Sequence, residues 1–219
     1  MPDLQFQIDG AEVEPFAVSP QLTFKLRLTN AKSDELIHSV LLRAQIQIES
    51  PRRNYSPQEK AGLRDLFGEP ERWGQTLRTF LWTHASVIVP AFQGSTEVKL
   101  PVPCTFDFNV AATKYFSGLA DGEVPLCVQF SGTVFYAEDC GALQVMPIPW
   151  DKEVRFRLPV KVWRELMDTY YPGIAWLCLE RDAFERLYRY KQERGIPTWE
   201  QVLESLFRGA EEAEEELKR

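Results

Sequence analysis

The chain has 219 residues, 44% hydrophobic and 26% charged, with a formal charge of −7. At this length roughly 70% of the unfolded chain's surface can be buried, enough for one large domain or two small ones without staples. The acidic balance counts against a nucleic-acid binder, which needs a basic face to release phosphate counterions, and no run of about 18 apolar residues exists to cross a membrane.

Five of the last nine residues are glutamates, set against Lys218 and Arg219, so the rest of the chain is only mildly acidic. The start, MPDLQFQIDG, has no basic n-region and no apolar h-region. A cytoplasmic location is therefore expected, with Cys104, Cys127, Cys140 and Cys178 as reduced thiols.

In chain order, Leu4, Phe6 and Ile8 alternate with polar neighbours. Leu22, Phe24, Leu26 and Leu28 do the same, as do Leu42, Ala44, Ile46 and Ile48. Period two gives each strand one dry and one wet face, the mark of antiparallel sheet, and such strands need a second layer to cover them. Asn30 to Asp34 reads as a turn. Ser56-Pro57-Gln58-Glu59 predicts a capped helix start; Leu63, Leu66 and Phe67 give it one apolar stripe, and Gly68 stops it.

Strands are then expected at HASVIVP, STEVKLPV, CTFDFNV, PLCVQF, GTVFY and EVRFRLP, with prolines at edges, strand ends and turns rather than in central strands. Ser131-Gly132 predicts a bulge or kink. From Pro159 the period becomes helical, and Thr198-Trp199-Glu200-Gln201 predicts a second capping box. The expected architecture is mainly β: an antiparallel β-sandwich of immunoglobulin-like flavour over residues 1–158, with a helical insertion near 56–82. Helices over 159–219 pack on or beside it, or the whole is one domain.

Chemistry-bearing motifs are sparse. The sequence has two histidines, no HExxH, no CxxC, no glycine-rich phosphate loop and no GxSxG. The weak catalytic candidate is His84 with Cys104, an imidazole that could activate a thiol. A metal set of His84, Cys104 and Asp107 has no recognised ligand spacing, so no metal and no cofactor is expected. Arg181, Arg186, Arg189 and Arg194 form a basic face that either meets an acidic partner or, more commonly for such arginines, is a solvated face paired with Glu180, Glu185 and Glu193.

The stretch FGEPERWGQTLRTFLWTH leaves three readings open. It is a corner of the core, or a docking surface anchored by Arg72, Trp73, Arg78 and Trp82, or an active site with His84 as base. Trp and Arg are enriched at binding hot spots, because they bury large areas and offer directional donors. Trp150, after two prolines, is either a further anchor displayed to a partner or a core-edge residue.

RRNYSP, LFGEPERWGQTLRTFLWTHASVIVP, LPVPCTFDF, FSGTVFY, PIPWDKEVRFRLPVKVWRELMD and LYRYKQERGIPTW resemble an uncharacterised bacterial family associated with actinobacterial-type nickel–iron hydrogenase gene clusters. The resemblance covers most of the chain and carries over no catalytic or ligand residues. It implies a cytoplasmic accessory role near hydrogenase assembly or function. The sequence lacks the paired thiols or His-rich tract of a nickel carrier, which counts against metal delivery. The functional expectation is a non-enzymatic module that binds another protein, such as a hydrogenase subunit or maturation factor, and neither nucleic acid nor membrane. The alternatives are an enzyme using Cys104 and His84, and a carrier of a small apolar ligand between the sheets. Oligomeric state stays open.

Overall fold

Alternation along the chain builds two antiparallel sheets. The computed structural model describes residues 1–137 and 141–217, so Cys140, Lys218 and Arg219 lie outside the described residues. The strands are β1 (Leu4–Val13), β2 (Gln21–Asn30), β3 (Leu36–Ile48), β4 (Phe80–Val89), β5 (Phe92–Gln93), β6 (Ser95–Pro103), β7 (Glu123–Ala137), β8 (Leu143–Pro147) and β9 (Glu153–Pro159). One sheet has the order β1-β2-β6. The larger runs β4-β3-β7-β8, with β5 beside β3 and β9 beside β7.

The dry faces of the two sheets meet. Phe6 stacks on Phe130 at 4.3 Å between ring centroids, and Phe24 meets Phe156 at 5.4 Å. Leu22, Leu26, Leu28, Ile46 and Ile48 are fully buried between them. At about 25 cal/mol per Å² of apolar surface removed from water, this layer dominates the folding energy.

Several expected elements differ in detail. CTFDFNV is not a strand: Asp107 accepts the Asn109 amide at 2.8 Å, and Thr105 accepts the Asp107 amide at 3.2 Å. Such local bonds offer the backbone an alternative to a ladder, and the chain turns there into a short helix, Ala111–Ser117. PLCVQF and GTVFY are parts of one strand, β7, whose pairing with β3 runs unbroken from Ser39↔Phe135 to Ile48↔Leu126. Ser131-Gly132 is thus a kink with φ +138° at Gly132, not a bulge. Pro125 sits inside this central strand near its start, where its carbonyl accepts the Glu49 amide at 2.9 Å.

The helices are α1 (Pro57–Gly62), α2 (Arg64–Phe67), α3 (Trp73–Thr76), α4 (Ala111–Ser117), α5 (Val160–Tyr170), α6 (Arg181–Glu193) and α7 (Trp199–Leu217). The predicted capping box forms in full at Ser56 and Glu59, and α2 ends at Gly68 with φ +74°. No helix of the described residues is long and apolar enough to cross a membrane. The chain divides into two compact units, Met1–Trp176 and Leu177–Arg219, later than the boundary read from the change of period. Helix α5 thus belongs to the first unit, where Trp163 stacks on Phe116 at 5.1 Å and Tyr170 donates to the Glu14 carbonyl at 2.5 Å.

A buried ion pair pins the insertion. Arg53 donates to Glu59 at 2.5 Å and to the carbonyls of Asp121 and Glu123, and both side chains are under a tenth exposed. Burial pushes the Glu59 carboxyl up. Hydrogen bonds from the Ser56 and Ala120 amides and from Arg53 outweigh it and hold the group below its ordinary 4.5. A depressed folded value stabilises above the unfolded value, and that contribution is lost as pH falls through the folded one. Glu59→Gln is therefore expected to cost about 2 kcal/mol at pH 7. The wild-type melting temperature should fall towards that of the variant as the pH drops below 4.5. Parallel curves would show that the charge on Glu59 contributes nothing.

Candidate docking surface

The Trp/Arg-rich stretch divides by side chain. Trp73 is buried, 7% exposed, and its indole nitrogen donates to the Gly68 carbonyl at 3.0 Å. Its ring meets Tyr55 and Phe67 edge-on at 5.3 and 5.9 Å. Phe67, Phe80 and Tyr115 continue the cluster, and half-buried Trp82 lies 5.1 Å from Phe116. The Tyr55 and Tyr115 hydroxyls share a 2.8 Å hydrogen bond; burial pushes both pKa values up, that of Tyr55 to about 12. These aromatics form one cluster continuous with the core. Arg72 and Arg78 stay exposed at the rim, where the Arg78 Nε donates to the Gln75 carbonyl at 3.1 Å. Trp73 therefore works in the core and not as an exposed anchor.

Trp150 takes the opposite place. It is 94% exposed on the turn joining β8 to β9, not at the core edge. The turn is held at both ends. The Ile148 amide donates to the Gly132 carbonyl at 2.9 Å, and the Phe130 amide donates to the Lys152 carbonyl at 2.8 Å. Lys152 also pairs with Asp3 at 2.7 Å. An indole presented on a braced turn loses little conformational freedom when a partner covers it.

Beside this turn, the outer face of the larger sheet changes character along its strands. In one half, register sets His84, Gln45, Gln129 and Glu153 side by side across β4, β3, β7 and β9. In the other half the corresponding row is Ile88, Leu41, Thr133 and Pro147. Beyond it Val145 pairs with Phe135 and Leu143 with Ala137. Leu41, Ile88, Val145 and Leu143 are exposed, and a shallow groove of about 320 Å³ runs between Leu41 and Ile88. Contiguous exposed apolar side chains with a polar border mark interaction surfaces. The sequence carried the signal: Leu41 falls on the wet face of its own alternation, one residue before Leu42.

The two catalytic candidates have different surroundings. His84 is exposed on the outer sheet face in the polar row. Cys104 follows β6, with its thiol 3.5 Å from the Val102 carbonyl. Burial pushes that thiol up to about 12, the reverse of what an activated nucleophile needs. With iodoacetamide at pH 7, exposed Cys178 should label within minutes, while Cys104 stays unlabelled on that timescale in the native protein. Rapid labelling of Cys104 would restore it as a nucleophile candidate. Among the described residues, no three His, Cys, Asp or Glu side chains gather as a metal site around these or any other positions.

The model of a family of unknown function (DUF6084) matches residues 1–215. No curated protein matches the sequence. Among solved structures, a Bordetella pertussis protein described as ApaA is similar over 72% of this chain and 95% of its own, at 14% identity and a TM-score of 0.25. β-Glucosidase 3B of Thermotoga neapolitana is similar over 71% of this chain and 17% of its own, at 11% identity and a TM-score of 0.24. Similarity that low carries no statement about this chain's chemistry.

Proposed function

We propose that this chain, which belongs to the DUF6084 family of unknown function, is a non-enzymatic docking module that grips another protein. The observation that carries the reading is Trp150, almost wholly exposed on a braced turn beside the apolar half of the outer sheet face. Trp is the side chain most often found to dominate binding energy at interface centres. In this reading Trp150 enters a pocket on the partner, Leu41, Ile88 and Val145 supply the surrounding dry contact, and Arg43 with the polar row forms the rim.

The two facing sheets are read as an immunoglobulin-like sandwich, a scaffold rigid enough to hold such a face flat. The motif resemblance to a hydrogenase-associated family supports a hydrogenase subunit or maturation factor as the partner, and the cytoplasm as the place of work. The enzyme and carrier alternatives draw no support from Cys104, whose thiol is held protonated, or from the filled space between the sheets.

The test uses purified hydrogenase subunits and maturation factors from the same gene neighbourhood, with binding read by interferometry. Trp150→Ala is expected to weaken binding at least about 30-fold, and Ile88→Asp similarly. Each should leave the melting temperature within about 1 °C, because surface changes of this kind move stability little. Binding that ignores both substitutions would sink the surface, and binding by none of those proteins would sink the partner assignment.

A further inference from the structure

The unit Leu177–Arg219 is an amphipathic helical hairpin. Val202 of α7 is fully buried, and the Tyr190 and Ser205 hydroxyls bond at 2.9 Å across the seam between α6 and α7. On another side, Phe184 and Tyr188 of α6 meet Trp199 of α7 at 5.5 and 6.2 Å, so the rings of both helices share one face. Leu203, Leu206 and Phe207 extend that face along α7 at helical spacing, and all six side chains are exposed. This unit is well below the roughly 70 residues under which one core seldom supplies enough stability. Its apolar face therefore calls for a second layer.

Charge says what that layer is. Helix α6 carries Arg181, Arg186, Arg189 and Lys191 against Asp182, Glu185 and Glu193, a small positive excess. Helix α7 is acidic, with Glu200, Glu204, Glu211, Glu212 and Glu215 exposed against Arg208. Contrary to the expected pairing of α6 arginines with its own glutamates, no ion pair joins the described residues of this unit. Along the border of the apolar face, helical periodicity places Arg181, Glu185 and Arg189 on the α6 side, an edge that is positive only in net. It places Glu200, Glu204 and Glu211 on the α7 side.

A surface that is apolar in the middle, positive along one edge and negative along the other complements a two-fold copy of itself. We propose that the hairpin pairs with the hairpin of a second copy of this chain, α6 of each lying along α7 of the other in a four-helix bundle. Both apolar faces are then covered, as in bundles of antiparallel helices. Each basic edge also meets an acidic one.

Sedimentation of the full chain over a micromolar concentration series tests this. The expected species is a dimer of twice 25.3 kDa. Leu206→Glu with Phe207→Glu should raise its dissociation constant on the order of a hundredfold, while far-ultraviolet circular dichroism keeps its helical signal. Should helicity fall, surface charge decides: Arg181→Glu with Arg189→Glu should weaken the dimer, and adding Glu200→Arg with Glu204→Arg should restore it. A monomer throughout the series overturns the proposal, as does a dimer that tolerates the Leu206 and Phe207 changes. A dimer that charge reversal leaves untouched overturns it as well. None of these variants alters Trp150 or its sheet face, so partner binding there is read separately.

Discussion

Gly132→Ala is expected to be the most damaging single-methyl change in the chain. A methyl group added at Gly132 would sit 1.9 Å from the Leu41 carbonyl oxygen and 3.0 Å from its carbon. Both are backbone atoms of β3, and β3 and β7 are central strands of the larger sheet, so neither side can withdraw without unzipping the ladder. The φ of +138° is also one that residues with a Cβ rarely adopt. Steric conflict and backbone strain add, and the loss should exceed about 4 kcal/mol, in the range reserved for changes with a named structural cause. The Trp150 turn would be disturbed too, because Ile148 hangs from the Gly132 carbonyl. Chemical denaturation of the soluble variant, or its failure to fold at all, gives the answer. A midpoint close to wild type would mean that β3 and β7 are spaced more widely than here.

Trp73→Ala comes second. Deleting a buried Trp costs about 3–5 kcal/mol, from lost transfer energy and from the cavity left behind. Here the ring is held edge-on by Tyr55 and Phe67, and its indole donor satisfies the Gly68 carbonyl at the end of α2. In a protein of this size such a loss lowers the melting temperature by about 6–20 °C. Arg72→Ala, one residue earlier and exposed, should stay within about 0.5 kcal/mol of wild type. That contrast separates the two jobs of the segment. If Trp73→Ala melts like wild type while partner binding disappears, Trp73 is an anchor after all and the aromatic cluster is not core.

For the candidate site, the sequence was informative about type and poor about place. It named Trp and Arg as the residues to watch, and Trp150 among them. It could not say that Trp73 turns inward while Trp150 turns outward, since both follow a proline within three residues and neither belongs to a long periodic element. Leu41 and Ile88 were visible only as apolar residues on the wrong side of an alternation. Their meaning needs the register that sets them beside each other across β3 and β4. Nothing in the spacing of Cys104 and His84 sets their distance, and side-chain surroundings decide such questions: Cys104 is half-buried with its thiol desolvated, and the imidazole is exposed.

What the sequence determined alone is local. Period-two alternation in β1, β2 and β3, the Ser56–Glu59 capping box and the glycine that ends α2 all depend on residues within a few positions of one another. Tertiary structure decided the rest. It joined two predicted strands into β7 by pairing them with one partner, replaced the expected strand at CTFDFNV with a turn that leads into α4, and gathered aromatics from distant segments into one cluster. Contacts between residues far apart in sequence are ruled by steric fit and burial summed over many neighbours, and a local pattern carries no record of which neighbours those will be.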